Sequence, residues 1–453
     1  MRAQARQIII NSVRKFINMG ALSRLWNLVK NIHAADTASL FNHLIFREKL
    51  ILFNIIYEKD KERTAEVLSE LDPEDSAAIL KELSLNQITL LFEVIPSDDA
   101  ATILPLLPEE TQKAILSAME KKPSEEVQEL LHYDEETAGR IMSPNFYALS
   151  HDTNVSDAIT AMQLEGDVES AFYLYVVDSD NKLVGVVSLR QLLFARPNTP
   201  LKDIMNRDVI YVKPETDQEE VARSVADYNL VAIPVVDNEK VLIGVVTVDD
   251  VIDVIDKEAT EDIYKMVSLD TTDRVQDSPF KSIKKRLPFL LLSLLTASVS
   301  PFIVNHFKDT LQAAITLAVL MHIVAAVGGI AGNQTIAIMV REIAIGEASW
   351  MTARKTLLKE MIVGIGNGIV MGIVLAGASY IFIGNIYLGL ILGLAVIINL
   401  FIAALLGTII PLFLKLIKLD PALGSVNLLT MCTDTLGYLV FLMLGTIFLK
   451  YLI

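Results

Sequence analysis

The sequence predicts a multi-domain integral membrane protein with four parts: an all-α superhelical domain, a duplicated α/β unit, a connecting segment and an α-helical transmembrane domain of five spans. Three observations predict this organisation. Mean hydropathy is high, at +0.44, although 21% of the residues are charged. Charged and apolar residues are segregated along the chain. A pattern of helix and strand residues also occurs twice in its middle part, and such duplication indicates repeated structural units.

Acidic and basic residues dominate different parts of the 453-residue chain. Residues 281–453 contain twelve basic and six acidic residues, a net charge of +6. Residues 1–280 contain 49 acidic and 27 basic residues, a net charge of −22. An acidic soluble part joined to a basic membrane part argues against nucleic acid as a partner and favours cations. The single cysteine, Cys432, excludes a disulfide framework and a multi-cysteine zinc site.

The N-terminal region, residues 1–138, is predicted to be a helical domain. Its first 30 residues mix basic and apolar side chains without a long apolar core or a small-residue cleavage site, which indicates an amphipathic helix and not a secretion signal. Residues 72–78 recur loosely as residues 95–101, and both segments place proline near a helix start with acids in the first turn. Short helices at this period predict a small superhelical solenoid.

The middle of the chain contains two copies of one unit, residues 139–200 and 201–262. In each copy a helical pattern precedes two β-rich runs joined by a tight turn, and another helix follows. The β-rich runs are residues 171–178 and 183–188 in the first copy, and 230–237 and 242–247 in the second. The two copies resemble a pair of cystathionine-β-synthase (CBS) domains, an α/β module that often binds adenine nucleotides.

The CBS resemblance implies a ribose-binding signature, Ser/Thr-x-x-Asp. It is intact in the second copy at Thr247 and Asp250, whereas the first copy has Ser188 and Gln191 at these positions. ATP or another adenine nucleotide is therefore expected, if at all, at the second copy.

The last helix of the second copy is strongly acidic. Its acids are Asp249, Asp250, Asp253, Asp256, Glu258, Glu261 and Asp262. Only Lys257 offsets them, and like charges three or four residues apart on a helix cost about 0.2–0.5 kcal/mol per pair. Two interpretations remain open: a solvent-exposed acidic face, or carboxylates that bind hard divalent cations such as Mg²⁺ or Ca²⁺. Residues 263–286 then connect this helix to the basic start of the first span and can transmit its movement.

Five segments are long and apolar enough to cross a bilayer core of about 30 Å, which requires about 20 helical residues. They are predicted at residues 287–307, 310–340, 361–383, 387–414 and 425–450. Most basic residues between these spans fall on one side of the membrane. By the positive-inside rule, the N-terminal part is cytosolic, the C-terminus lies outside, and the location is the cell (inner) membrane.

The fifth span contains one carboxylate, Asp434, and no basic residue lies in the interior of a span to pair with it. A charge at the bilayer centre costs about 2.5–3.5 kcal/mol on insertion scales. Asp434 is therefore either protonated and bonded to its helix or in contact with water and cations, and we favour the cation pathway. The segment 328–334 interrupts the second span with three glycines, Asn333 and Gln334, a composition that fits close helix packing or a pathway.

The order of these parts resembles the MgtE family of magnesium channels over essentially the whole chain. The motifs that carry the resemblance are residues 247–251 with 258–263, Gly328-Gly329 with Gly332-Asn333-Gln334, and residues 359–361, 420–423 and 433–437. The resemblance implies a homodimer with the pore on its two-fold axis. It also implies that residues 263–286 form a connecting (plug) helix and that cytosolic Mg²⁺ closes the pore.

The MgtE resemblance assigns roles to individual residues. Asp434 would hold hydrated Mg²⁺ in the pore, and Asp420 would lie near the cytosolic gate. Regulatory Mg²⁺ is expected at Asp250, Asp253, Glu258, Glu261 and Asp262, with Asp98 as a further regulatory ligand. The residues expected to line the pore are Gly328, Gly329, Asn333, Gln334, Glu360 and Gly437.

Three positions depart from the family pattern. His322 stands where the family usually has proline, Ile330 where it usually has asparagine, and Asn229 where an aspartate is common. Ile330 removes a polar group near the pore, and Asn229 removes a charge from the sensor. His322 is either a packing residue or a contact for softer metals such as Co²⁺ or Zn²⁺.

Two alternative functions remain open. One is an ion-coupled transporter of another cation, Na⁺ or Co²⁺, on the same scaffold. The other is a CBS-based membrane sensor, which leaves Asp434 unexplained. Enzymatic activity is not expected, because the sequence has no phosphate-binding glycine loop between a strand and a helix, no zinc-ligand spacing and no nucleophile–base arrangement.

Overall fold

The computed structural model describes residues 3–165, 172–273, 277–346 and 350–452. It divides into two compact units, Met1–Ile255 and Asp256–Ile453. The boundary between the units falls within one helix, α15. The helices up to that point are α1 (Ala3–Asn18), α2 (Leu22–Val29), α3 (Ala34–Phe41), α4 (Phe46–Lys59), α5 (Lys61–Ser69), α6 (Pro73–Leu80), α7 (Leu85–Phe92), α8 (Ser97–Ile103), α9 (Glu109–Ala118), α10 (Lys121–Leu130), α11 (Ala138–Ile141), α12 (Val155–Glu165), α13 (Leu189–Phe194), α14 (Gln218–Tyr228) and α15 (Val248–Met266).

The N-terminal domain is built from the short helices α1–α10, as the sequence predicts. Helix α6 begins with Pro73 after Asp72, whose carboxylate accepts a hydrogen bond from the backbone N–H of Glu74. Helix α8 begins at Ser97 directly after Pro96, so the two similar segments both start helices. The buried faces of these helices meet in one apolar core that includes Phe53.

A buried arginine joins this domain to the helix that follows it. Arg140 in α11 donates hydrogen bonds to the carbonyl oxygen of Ala101, at 2.6 Å, and to that of Leu130. These carbonyls belong to α8 and α10. A buried charge is stable only when its hydrogen-bond donors are satisfied. Arg140 is buried, so its bonds to α8 and α10 fix these two helices against α11.

The α/β part contains five strands: β1 (Ala148–Ser150), β2 (Tyr173–Val177), β3 (Leu183–Ser188), β4 (Ala232–Val236) and β5 (Leu242–Thr247). Strand β2 pairs parallel to β1 and antiparallel to β3, and β4 pairs antiparallel to β5. The first residues of each copy pair with a strand of the other copy, through Ser143 with Val245 and Asn206 with Val186. This reciprocal exchange joins the two predicted copies into one body.

Asn229 has a conformational role in this part. It ends α14 in the left-handed region, with φ of 52°, and asparagine is one of the few non-glycine residues that adopts this conformation readily. The side chain at this position therefore serves the helix end.

The second unit contains the membrane helices. They are α16 (Pro279–Ala297), α17 (Ser300–His306), α18 (Lys308–Ala313), α19 (Ile315–Ala344), α20 (Trp350–Ile383), α21 (Ile386–Leu416) and α22 (Ser425–Ile447). Five segments are long and apolar enough to span a membrane: Pro279–His306, Ile315–Ala344, Arg354–Ile383, Ile386–Leu416 and Ser425–Ile447. The predicted number of spans is confirmed, and the protein is a multi-pass membrane protein.

The glycine-rich segment of the second span does not break its helix. Helix α19 runs without interruption through residues 328–334, contrary to the interruption that the composition suggested. Neighbouring helices pack closely against two of its glycines, Gly328 and Gly332. The same holds between α20 and α21, where Gly372 and Gly393 approach each other's backbone oxygens.

The connecting segment is not a single helix over residues 263–286. Helix α15 ends at Met266, Ser268 has a positive φ of 55°, and α16 begins at Pro279 with Ser278 as its cap. A left-handed residue and proline at the first helical position end one helix and start another. Residues 274–276 lie outside the described part of the chain.

Acidic residues of this segment neutralise the basic start of α16. Asp273 accepts from Arg286 Nε at 2.5 Å, and Asp277 pairs with Lys281 and Lys285 at 2.9 Å each. These hydrogen bonds lower the pKa of Asp277 to about 2. The basic cluster that indicated the membrane orientation is therefore partly paired within its own segment.

Candidate functional site

Asp434 lies near the middle of α22, and its side chain is half-buried. The adjacent Thr433 is fully buried, and its hydroxyl donates to the carbonyl oxygen of Leu429. Within the described part of the chain, Asp434 has no hydrogen-bond or ion-pair partner, and His322 is close enough to interact with its charge. The carboxylate is thus not neutralised by a bonded cation.

Helices α19 and α22 pack against each other in antiparallel directions. His322 Nδ1 lies 3.1 Å from the hydroxyl oxygen of Tyr438, and Gly332 packs against the side chain of Leu429. Asp434 therefore lies between these two contacts. It also precedes Tyr438 by four residues, so the two side chains project from the same face of α22.

Helix α19 presents a row of accessible residues beside Asp434. They recur at helical spacing and are His322, Ala326, Gly329 and Asn333. We call this row, together with Asp434, the pathway face. A side chain at Gly329 would meet no atom within 4 Å, and Asn333 Oδ1 is buried without a hydrogen-bond partner. Gln334 and Ile330 lie exposed next to the row.

Two of the glycines predicted to line the pore lie at a junction of three helices. Gly328 of α19 and Gly437 of α22 both face the side chain of Asn399 in α21, where a Cβ would lie 2.1 Å and 2.9 Å from Asn399 Nδ2. Asn399 is completely buried, and its Nδ2 donates to the carbonyl oxygen of Val324 at 2.8 Å. Its Oδ1 has no hydrogen-bond partner among the residues that the structure describes. This amide holds three helices around the level of Asp434.

Glu360 is also buried and not on the pathway face. Its Oε2 accepts from the Thr335 hydroxyl of α19 at 3.2 Å, and its Oε1 lies 3.5 Å from Lys359 Nζ. Glu360 has 4% of its surface exposed, whereas the Lys359 side chain is mostly exposed. The Glu360 carboxylate therefore links α20 to α19. This link lies directly before the apolar part of the third span.

The predicted gate residue, Asp420, is paired with a lysine. Lys265 Nζ, near the end of α15, lies 2.6 Å from Asp420 Oδ2 and also pairs with Glu261 one turn earlier in α15. Burial lowers the pKa of Lys265, but the hydrogen bonds to Asp420 and Glu261 outweigh it, and the pKa is raised. We call Lys265, Glu261 and Asp420 the gate cluster.

Asp262 lies beside the gate cluster. Burial raises the pKa of its carboxyl, the charge of Asp420 adds to the increase, and Lys265 opposes it. Asp262 and Asp420 each make the ionised form of the other less favourable. A further cation close to both carboxylates would stabilise them.

Contacts on both sides of the gate cluster attach the end of α15 to the start of α22. Met266 packs against an apolar cluster that includes Ile336 and Ala422. Asn427 of α22 donates to the hydroxyls of Ser268 and Ser293, at 2.9 Å each. The end of α15 is therefore attached to the helix that contains Asp434.

The nucleotide signature forms a helix cap. The Thr247 hydroxyl and backbone N–H both donate to Asp250 Oδ2, and in the first copy Ser188 contacts Gln191 in the same way. The two copies thus share a geometry and differ in charge. Burial raises the pKa of Asp250 to about 7, the hydrogen bond from Thr247 opposes the increase, and the charges of Asp249 and Asp99 add to it.

The other predicted regulatory residues lie on helices α15 and α8. Asp253 is exposed on α15, Glu258 is half-buried farther along that helix, and Asp98 is half-buried in the first turn of α8. Among the described residues, no group of three or more His, Cys, Asp or Glu side chains is arranged to hold a metal ion.

Sequence reasoning did not identify Lys265 as part of the site. Its position four residues after Glu261 predicts an ion pair on one helix face, but Asp420 is 155 residues away and only the fold brings it near.

Family models match three parts of the chain. The model described as a divalent cation transporter, MgtE, matches residues 321–444, and the MgtE intracellular N domain matches residues 32–136. CBS domains match residues 138–198 and 201–257. The magnesium transporter MgtE of Thermus thermophilus is 37% identical over 328 residues, which cover 72% of this chain and 73% of that protein. The chain belongs to the MgtE family.

Other members of the MgtE family give a consistent result. The magnesium transporter MgtE of Enterococcus faecalis is 34% identical, with 72% of both chains covered. The protein of the same name from Bacillus subtilis is 35% identical, with 74% of this chain and 75% of that protein covered.

Two solved structures resemble the N-terminal and CBS parts. The soluble part of a magnesium transporter superposes with a TM-score of 0.50 at 30% identity, covering 56% of this chain and 99% of the other. The cytosolic domain of the Mg²⁺ channel MgtE in complex with ATP superposes with a TM-score of 0.51 at 35% identity, covering 54% and 99%. These likenesses confirm the predicted fold class of a helical domain followed by a CBS pair.

Proposed function

We propose that this chain is a Mg²⁺ channel that imports Mg²⁺ across the cell membrane and that cytosolic Mg²⁺ closes it. The observation that carries the proposal is Asp434, a carboxylate in the middle of an apolar span, on an accessible face and without a bonded cation. The three relatives that cover more than two thirds of their own length and of this chain are named magnesium transporter MgtE, which supports the same ion. The N-terminal part is cytosolic and the C-terminus lies outside.

The pathway face supplies half of the pore, and a second copy of the chain supplies the other half. His322, Gly329 and Asp434 are accessible in the single chain although they lie on membrane helices. A two-fold axis along this face brings two Asp434 carboxylates together. Mg²⁺ gives up its water reluctantly and usually keeps several waters while contacting one or two carboxylates. Two Asp434 side chains then bind the hydrated ion weakly enough to release it, as conduction requires.

Cytosolic Mg²⁺ closes the pore by stabilising the acidic N-terminal and CBS parts. The first 280 residues have a net charge of −22, so these parts repel one another when divalent ions are scarce. Asp250, Asp253, Glu258, Glu261 and Asp262, with Asp98, are the proposed ligands. In the second unit the end of α15 reaches Asp420 and α22, and ion binding along α15 shifts this two-state contact toward closure.

An adenine nucleotide is proposed as a second ligand of the CBS pair. The related cytosolic domain was solved in complex with ATP, and Thr247 with Asp250 forms the matching signature in this chain. Asp250 supplies a carboxylate acceptor for ribose hydroxyls, whereas Gln191 of the first copy does not.

Growth of a host that lacks Mg²⁺ uptake tests the proposed function. The native chain is expected to restore growth at low Mg²⁺, and Asp434→Asn, which keeps the size but removes the charge, is expected not to. Asp309→Asn is the matched control, because Asp309 is an exposed acid of the same unit outside the pathway face. Rescue by Asp434→Asn at the native level, with equal amounts of protein in the membrane, would contradict the pore assignment.

A further inference from the structure

A cavity lies at the outer end of the pathway face. It has a volume of about 680 Å³ and opens between the end of the first span, α18, α19 and α22. Its polar lining residues include Asn305, Lys308, Gln312, His322 and Tyr438. An ion that approaches Asp434 from this end of the bundle passes His322 and Tyr438 first, since Asp434 lies one helical turn beyond Tyr438.

Tyr438 holds the imidazole of His322 in a fixed orientation. Nδ1 lies 3.1 Å from the Tyr438 hydroxyl, and the two rings meet edge to face with centroids 6.0 Å apart. Tyr438 is buried, whereas His322 is exposed to the cavity. The ring is therefore fixed on its Nδ1 side by a residue that cannot itself move freely.

The second ring nitrogen is available to a ligand. Among the described residues, Nε2 of His322 has no hydrogen-bond partner. In the tautomer with hydrogen on Nδ1, that N–H donates to the Tyr438 oxygen and Nε2 carries a lone pair. Histidines that bind metals usually donate their other N–H to such a group, which fixes the tautomer and the ring orientation.

Asp434 supplies a second ligand of different character close by. Its charge interacts with His322, and it shares a face of α22 with Tyr438. Carboxylates and water suit Mg²⁺, while imidazole suits Ni²⁺, Zn²⁺ and Co²⁺. Ni²⁺, Zn²⁺ or Co²⁺ therefore gains a bond to the imidazole of His322 that Mg²⁺ does not.

We propose that His322, held by Tyr438, is a second metal contact of this pathway and that it binds divalent ions with affinity for imidazole. Such an ion lodges between His322 and Asp434 and blocks the passage of Mg²⁺, because conduction requires binding weak enough for release. The block rests on the proposed function, whereas the metal contact does not.

Ni²⁺ binding to the purified full-length chain, without a histidine tag, tests the metal contact by calorimetry. The variant His322→Gln keeps a donor for Tyr438 and removes the imidazole, and it should weaken the strongest Ni²⁺ site by roughly tenfold or more. Tyr438→Phe keeps the ring and should weaken the site by a smaller factor. His306→Gln is the matched control, since His306 is the other histidine of the membrane unit and does not line the cavity.

Mg²⁺ influx into proteoliposomes at increasing external Ni²⁺ tests the block with the same variants. The native chain and His306→Gln should be inhibited at similar Ni²⁺ concentrations, and His322→Gln should require at least about ten times more. The metal contact would be overturned if the native chain and His322→Gln bound Ni²⁺ with equal affinity. It would also be overturned if His306→Gln lost as much Ni²⁺ affinity as His322→Gln. Absent Mg²⁺ influx in the native chain, with Ni²⁺ binding that depends on His322, would overturn the proposed function and the block but support the contact.

Discussion

Lys265 Nζ lies 2.6 Å from Asp420 Oδ2, so the last turn of α15 is joined by an ion pair to the residue that precedes the Asp434 helix. Both side chains are less than one third exposed, and Glu261 shares the lysine. The Lys265 ammonium thus lies between Glu261 and Asp420, two carboxylates for which the family resemblance implied roles at the regulatory site and the gate. The Lys265 ammonium therefore neutralises part of the negative charge of the gate cluster.

Lys265→Met is expected to loosen the gate when Mg²⁺ is scarce. It leaves Asp420, Glu261 and Asp262 to repel one another, which should shift the contact toward the open state by about 1–2 kcal/mol. Mg²⁺ influx at low internal Mg²⁺ should therefore rise in proteoliposomes, and high internal Mg²⁺ should still close the pore. Lys257→Met, at an exposed lysine of the same helix, is the control. An influx unchanged from the native chain would show that the ion pair does not hold the gate.

A pair of adjacent glycines tests the junction around Asn399. Gly328→Ala places a Cβ against the Asn399 amide and should destabilise the protein by about 1–3 kcal/mol through overpacking. Gly329→Ala meets no atom within 4 Å and should leave stability unchanged or raise it, because alanine favours the helix over glycine. Thermal unfolding of both variants in detergent measures the difference. Equal unfolding temperatures would contradict the close packing at Gly328.

The stability of the cytosolic part is expected to fall with rising pH because of Asp250. Its pKa is about 7 in the folded chain, above the ordinary value of 3.8, so folding favours the protonated carboxyl. This contribution is fully present below pH of about 4 and is lost as the pH rises to about 7. Asp250→Asn should therefore stabilise the chain at pH 8 more than at pH 5, by up to a few kcal/mol.

Unfolding temperatures measured between pH 5 and pH 8 without divalent ions provide the test. Asp256→Asn, which removes an exposed carboxylate from the same helix, should keep the pH dependence of the native chain. The unfolding temperatures of the native chain and of Asp250→Asn could instead change with pH in parallel. That result would show that Asp250 does not resist ionisation in the folded state.

Much of the architecture follows from local patterns. The five spans, the duplicated α/β unit and the helix starts at Pro73 and Ser97 depend on residues that are neighbours in sequence, and the structure confirms them. The end of α15 and the start of α16 are also local, but the left-handed Ser268 has no clear sequence signal, and the predicted single connecting helix was therefore wrong.

The contacts that define the candidate site depend on distant residues. Asn399 meets Gly328 and Gly437 only because three helices cross at one level, and a polar residue in an apolar span gives no sign of which neighbours it faces. The pairing of His322 with Tyr438 likewise follows from the antiparallel register of α19 and α22. Composition indicated Asp434 as a candidate functional carboxylate, whereas the residues that surround it could be identified only from the fold.

Mg²⁺ influx into proteoliposomes that contain the purified chain tests the central claim most directly. The native chain should admit Mg²⁺ down its gradient, and internal Mg²⁺ should reduce the flux. Asp434→Asn, reconstituted in equal amount and with a native unfolding temperature, should abolish the flux, while Asp309→Asn should retain it. Native flux through Asp434→Asn, or no flux through the native chain, would contradict the account.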